Sequence, residues 1–460
     1  MKANPRPTLA FNVALFAIAL ILTVASAAPA AVATVPAPGA SLGLTRSNTN
    51  ALNLTISNSG DQVWIISSSP NLVDWTEIGS WKVHNGSYRG TFTNTAVNPH
   101  IYYRAFYDPA RQTIFSTTSN ALVLPASLFN YSALTLPVSF SQPPILAQDN
   151  MPATNVTTDA GATLGRVLFY DQRLSTNQTV SCASCHQQAY GFSDPRRFSV
   201  GFDGSVGSRN AMGLSNARWY QRKHFFWDER ANTLEDQVLL PIQNPIEMGM
   251  TLAALTNRLA AEPFYTNLFT ANFGTPDVTV DRISRALAQF VRSIVSTQSK
   301  YDTGVSNSFA NFTPQENNGR QIFNGICAAC HGTDNFVPGP ALNNNGLEFP
   351  YVDNGVGAIT GNPADSGKFK VPSLRNIGLT APYMHDGRFT NLEQVVEFYN
   401  SGIVFNANLS PPLRGPGGNT ALRLNLSADQ KAALVAFLKT LTDTNLVANA
   451  KFSDPFNYGN

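Results

Sequence analysis

Charge, cysteine and histidine are all scarce in this chain of 460 residues, and each shortage excludes something. Charged residues make up 13% of the sequence and divide into 31 basic and 29 acidic, so there is no broad field of one sign to attract nucleic acid or an anionic surface. The four cysteines all fall in two C-x-x-C-H motifs, Cys182–Cys185–His186 and Cys327–Cys330–His331, which leaves none for a structural disulfide. A zinc site would need further ligands beside each pair, and His84 and His100 lie far off in an unrelated segment. A redox C-x-x-C pair does not require the following histidine. The reading left is two covalently attached c-type haems, with His186 and His331 as proximal iron ligands.

What the chain does contain is Gly, Pro, Asn, Ser and Thr in abundance, a composition suited to a loop-rich exported protein. Residues 1–33 read as a signal peptide: Lys2 and Arg6 precede an apolar run from Leu9 to Val24, followed by small residues. The alternative is an uncleaved anchor, since that run approaches bilayer length. Both put the remainder outside the cytoplasm, in the periplasm or beyond. Residues 40–125 alternate apolar and polar types, as in "DQVWIISSSP" and "IYYRAFYD", and predict a small all-β sandwich module. A Pro-containing linker, 126–159, follows.

From residue 160 the signals become helical. "DRISRALAQFVRSIV" puts Ile283, Leu287, Phe290 and Ile294 on one face. "TPQENNGRQIFNGICAACH" opens with Thr313 as cap, Pro314 at the first helical position and Glu316 completing a capping box, and can stop at Gly325. "SADQKAALVAFLKTL" begins with the pair Ser427 and Gln430 and aligns Leu434, Phe437, Leu438 and Leu441. The expectation is a mostly α chain with a first haem domain over 160–305, a second over 306–447 and a tail over 448–460.

Three long segments carry a resemblance: "LGRVLFYDQRLSTNQTVSCASCH", "FFWDERANTLEDQVLLPIQNPIEMG" and "VPSLRNIGLTAPYMHDGRFTNLEQVVEFYNSG". In this order, over residues 160–445, they are similar to the bacterial di-haem cytochrome c peroxidase and MauG group. The resemblance implies two cytochrome c-like helical haem domains, the first peroxidatic and the second handling electrons. It does not reach the β module.

A reactive iron needs an open coordination position. Conventional peroxidases of the group carry a distal histidine in the loop after the first motif, but "RRFSVGFDGSVGSRN" has none; Met212 and His224 are the nearest alternatives. The resemblance therefore implies an open first haem. It also implies Glu247 as the proton shuttle for peroxide, Gln237 as its orienting hydrogen-bond partner and Trp227 as a relay between the haems. At the second haem it favours Tyr399 as sixth ligand, with Met384 as the alternative and His385 or an open site behind it. Asn210 and the carbonyls of Thr380 and Pro382 match an interdomain calcium site. The implied activity is hydrogen peroxide reduction with electrons from a small donor protein. Alternatives are peroxide-dependent oxidation of a partner protein and a non-catalytic electron-transfer cytochrome.

Overall fold

In a computed structural model of the chain, the described residues are 122–333, 336 and 342–456, with the backbone of the strands between residues 22 and 107. Contacts divide the chain into two units, Met1–Thr117 and Thr118–Gly459. In the first, strands Ser41–Asn48, Ala51–Asn58 and Gly86–Thr93 pair antiparallel, as do Thr76–Val83, Gln62–Ser69 and Tyr102–Tyr107. The side chains of residues 1–121, and with them the expected signal segment and sandwich packing, lie outside the described residues.

The second unit is mostly helical, with one small two-stranded sheet that pairs Leu342–Asn343 with Phe369–Lys370. It has two main cores, each made where an early helix crosses a late one. In the first, Asp159–Tyr170 lies against Val280–Ser293, whose Ile283, Leu287 and Phe290, with Ile294 just beyond, are fully buried. Burying each such side chain stabilises by about 1.5–3 kcal/mol. In the second, Pro314–Ile326 crosses Ala428–Lys439, and Phe437 and Leu441 are fully enclosed. Both expected capping boxes form, Thr313 with Glu316 and Ser427 with Gln430.

The crossings share one device. A Cβ on Gly165 would stand 2.0 Å from the Ala286 carbonyl oxygen and 2.7 Å from Phe290 Cβ. One on Gly319 would stand 1.9 Å from the Ala433 oxygen and 2.8 Å from Phe437 Cβ. Each core thus brings two backbones together at a glycine that faces an Ala-x-x-x-Phe helix.

One boundary differs from expectation. The helix before the second motif does not stop at Gly325; it runs to Ile326 and a further turn, Ala328–His331, follows Cys327. The stop falls at Gly332, with φ 64° and ψ −177°, a conformation that glycine alone adopts freely.

Segments from both sides of these helices in sequence are packed onto the first core. Phe129 and Tyr131 from the N-terminal side, and Phe452 and Phe456 from the C-terminal side, belong to it. Tyr131 Oη donates to the Lys451 carbonyl at 2.6 Å, and Val123 N–H to Pro455 O at 2.7 Å.

Candidate haem centres

The first motif sits on a short helix, Cys182–Cys185, started by a capping box between Ser181 and Ser184. His186 N–H donates to Cys182 O at 2.9 Å, which holds the histidine on the cysteine side of the turn. Its Nδ1 lies 2.9 Å from the Phe192 carbonyl. A proton on Nδ1 satisfies that carbonyl and leaves the Nε2 lone pair for a metal. Burial lowers the His186 pKa, so the ring is neutral, the form that binds iron. Arg196 clamps this loop by bonding Asp194 and the Ser184 carbonyl.

Glu247 approaches this motif. Its charge bears on both Cys182 and Cys185. Burial raises its pKa above the ordinary carboxylate value, against the opposing pull of Arg230 and a hydrogen bond from Asn244 Nδ2 at 3.1 Å. The Glu247 loop is docked on the loop that follows the motif: Phe202 N–H donates to Glu247 O at 2.9 Å. Gly201 permits that approach, since a Cβ there would lie 1.6 Å from the Ile246 oxygen. Gln237 ends the short helix Leu234–Gln237, which Thr233 caps; its side chain is half-buried and forms no hydrogen bond among the described residues.

The second motif follows the Pro314–Ile326 helix, and His331 N–H donates to Cys327 O at 3.0 Å. Burial pushes the His331 pKa down to about 4, with the Pro372 carbonyl acting the other way. Its buried Nδ1 completes no hydrogen bond among the described residues. Cys327, Cys330 and His331 line a deep, largely apolar cleft together with Trp227, Met384 and Tyr399.

The two candidate sixth ligands converge on one amide. Asn345 Nδ2 lies 3.4 Å from Tyr399 Oη and 3.5 Å from Met384 Sδ. Tyr399 belongs to a π-helical turn, Phe398–Gly402, that widens the helix Leu392–Glu397 at its end. Such turns are rare and frequently mark functional sites. Burial pushes the Tyr399 pKa up to about 12, although the Asn345 bond opposes it. The phenol thus keeps its proton until a cation replaces it. Met384 has φ 75°, a left-handed position unusual for a side chain of its length.

Trp227, in the cleft of the second motif, donates from Nε1 to the Asn210 carbonyl at 2.8 Å, and Asn210 N–H donates to His385 O at 2.7 Å. The His385 ring stacks on Phe369 at 3.9 Å and meets Trp227 edge-on at 6.4 Å. Beside Trp227, Arg209 ties Asp228 of its loop to Asp353, with bonds of 2.5 and 2.6 Å.

Comparison with known proteins decides the family. The family model for the di-haem cytochrome c peroxidases (CCP_MauG) matches residues 159–308. Cytochrome c551 peroxidase of Nitrosomonas europaea is 35% identical over 319 residues, covering 67% of this chain and 89% of that protein. The methylamine utilization protein MauG of Paracoccus denitrificans is 37% identical, covering 62% of this chain and 89% of its own length. This chain belongs to the di-haem cytochrome c peroxidase and MauG family. The crystal structure of a MauG-like protein associated with microbial copper homeostasis superposes with a TM-score of 0.61 at 35% identity, covering 70% of this chain and 99% of that one. The diheme peroxidase BthA of Burkholderia thailandensis, 23% identical with a TM-score of 0.52, shares the fold.

The chain is therefore an oxidoreductase of the peroxidase type, and its family implies two haem c groups. The residues present fit them. All four motif cysteines are free thiols, both histidines are held neutral, and an apolar cleft faces the second set. Among the described residues no cluster of three or more His, Cys, Asp or Glu competes as a metal site, and no helix is long and apolar enough to cross a membrane.

The remaining expected residues fall as follows. The Met212 backbone acts on the His186 ring, and the residue lines the second cleft. His224 is half-buried in the loop before Trp227. Asn210, Thr380 and Pro382 line the same cleft, and Asn210 Nδ2 donates to the carbonyls of Arg196 and Arg197. Asn345, Asn244 and Arg209 were not singled out by sequence. Asn345 sits in a run of three asparagines with no motif; only Asn244, three residues before Glu247, had a spacing that could have flagged it.

Proposed function

We propose that this di-haem peroxidase is exported to the periplasm, reduces hydrogen peroxide at the haem held by Cys182, Cys185 and His186, and draws electrons from a small donor protein through the second haem. The observation that carries the reading is the half-buried Glu247 carboxyl, raised in pKa beside the first motif. Bound haem would supply the redox-active iron at which peroxide is cleaved. The chain supplies the proton transfers. Glu247 accepts the proton of the oxygen that binds and returns it to the oxygen that leaves, a task suited to a carboxyl whose pKa lies nearer neutrality. Gln237 orients the peroxide by hydrogen bonding. Trp227, held by Asn210, relays electrons between the two centres.

Tyr399 would hold the second haem iron as its sixth ligand, where a phenolate would favour oxidised iron and lower the potential. Its Oη on Asn345 supports this, although the same amide also reaches the alternative, Met384. A tyrosine ligand also favours a second reading, in which peroxide drives oxidation of a residue on a partner protein. The interdomain calcium site of Asn210, Thr380 and Pro382, and a β-sandwich module over 40–125 acting as a spacer or adhesion element, complete the proposal.

The test is peroxide-dependent oxidation of a reduced donor protein by the holoenzyme. It is expected in the wild type and lost in Glu247→Gln. A wild type inert to peroxide would instead favour a plain electron carrier.

A further inference from the structure

One buried group of polar side chains has no part in that scheme. Tyr220, 1% exposed, donates its phenol to a carboxylate oxygen of Glu229, itself 8% exposed. Arg222, whose side chain is 34% exposed, bonds both oxygens of Glu229 through Nε at 2.9 and 2.7 Å and links the buried carboxylate to the protein surface. The Lys370 ammonium lies over the Tyr220 ring, 3.9 Å from its centroid, and 5.2 Å from that of Phe225. Lys370 N–H in turn donates to the Trp227 carbonyl at 2.8 Å, and both residues line the cleft of the second haem motif. Tyr220 is thus one residue removed from Trp227 on one side and from solvent-reaching Arg222 on the other.

A phenol hydrogen-bonded to a carboxylate is arranged to lose an electron and a proton together. Loss of the electron alone would leave a ring cation beneath the Lys370 ammonium, which like-charge repulsion disfavours. Loss of both leaves a neutral phenoxyl radical, with the proton on Glu229. Ordinary deprotonation is not the alternative, because burial and Glu229 raise the Tyr220 pKa far above the phenol value.

We propose that Tyr220 and Glu229 form a redox station at which one oxidising equivalent from peroxide is held as a neutral tyrosyl radical within reach of a protein to be oxidised. The electron leaves the Tyr220 ring for the oxidised haem centre by way of Trp227, and the phenolic proton moves to Glu229. When an oxidisable side chain of a docked protein gives up an electron, Tyr220 takes it and recovers its proton from Glu229. Hydrogen peroxide is the only external oxidant, and it supplies two such equivalents. The inference rests on the peroxidase reading and gives its second form, protein oxidation, an exit point.

The test mixes ferric holoprotein with hydrogen peroxide in the absence of donor, follows haem absorption and traps samples for EPR. The expected result is a change at the haem followed by a radical signal that narrows when the protein carries ring-deuterated tyrosine. Tyr220→Phe, which keeps the ring under Lys370, should abolish the signal. Glu229→Gln, which keeps an acceptor oxygen but no base, should weaken it. Spin trapping with peptide mass spectrometry should place the adduct on Tyr220 in the wild type only. If haem absorption does not respond to peroxide, the peroxidase reading fails and this one with it. If the haem responds while the signal is insensitive to tyrosine deuteration, or persists in Tyr220→Phe, the redox station alone is overturned.

Discussion

At the scale of single residues, the centres depend on who partners whom. Glu247 is informative because opposing influences meet on it: burial raises its pKa, whereas Arg230 and the Asn244 amide lower it. A proton acceptor must be ionised, so peroxide turnover should be present above the Glu247 pKa and fall as pH drops through it. The midpoint should lie above the ordinary value of about 4.3. Asn244→Ala removes a bond that favours the charged form, so this acid limb should move to higher pH with little change at the plateau. In Glu247→Gln the limb should vanish and the plateau fall by ~10²- to 10⁴-fold. Profiles of rate against pH check all three; an unmoved limb in Asn244→Ala would mean that another group is titrating. At the second centre, Tyr399→Phe should raise the haem reduction potential and alter its ferric spectrum, and Met384→Ala should change neither. A spectrum that responds only to Met384→Ala would reverse the ligand choice. Legibility is uneven at this scale. Cysteines and histidines announce themselves by spacing, whereas Asn345 is defined by two side chains, Met384 and Tyr399, that only the fold brings together.

At the scale of elements, local sequence does more of the work. Thr313-Pro314 and Ser427 read as helix starts because a capping box is complete within four residues, and both form as expected. The apolar stripe on Val280–Ser293 likewise follows from period alone. What local sequence could not mark is the close helix crossing, because the meaning of Gly165 and Gly319 lies in backbones far away along the chain. It also misled at Gly325: a glycine near a helix end suggests a stop, yet a Cβ there would meet nothing within 4 Å, so no contact requires it. The crossings give a prediction belonging to whole helices. Gly165→Ala or Gly319→Ala sets a methyl against a backbone carbonyl, a clash that only helix separation relieves, at a cost of roughly 1–3 kcal/mol. Thermal unfolding followed at the haem bands should show Gly165→Ala lowering the transition of the first domain and Gly319→Ala that of the second. Gly325→Ala should be neutral or slightly stabilising, since alanine is the better helix former. Equal effects at all three positions would remove the crossing argument.

At the scale of the whole molecule, the loop after the first C-x-x-C-H motif is backed by residues more than 250 positions further along the chain. The sequence reads 448–460 as a tail. Its aromatic residues have a different use. Phe452 is 4% exposed in the first core, within 6.3 Å of the rings of Tyr131 and Phe192 and 6.4 Å of Phe290. Tyr170 Oη donates to the Phe452 carbonyl at 2.7 Å, and Gln188, two residues beyond His186, donates to the carbonyls of Leu446 and Asn449. Phe192 supplies the carbonyl that faces His186 Nδ1. Phe452 therefore backs the carbonyl that faces His186, the proposed ligand of the first iron, although 266 positions in sequence separate the two. Truncating a buried phenylalanine to alanine costs about 3–5 kcal/mol. Phe452→Ala should thus destabilise the first haem domain by this order in denaturant titrations and loosen the His186 ring, visible as a broadened ferric spectrum at that centre. The second domain, whose core includes Phe323, Phe336 and Phe437, should unfold as before. An unchanged midpoint at the first centre would show that the chain end lies on that domain without supporting it.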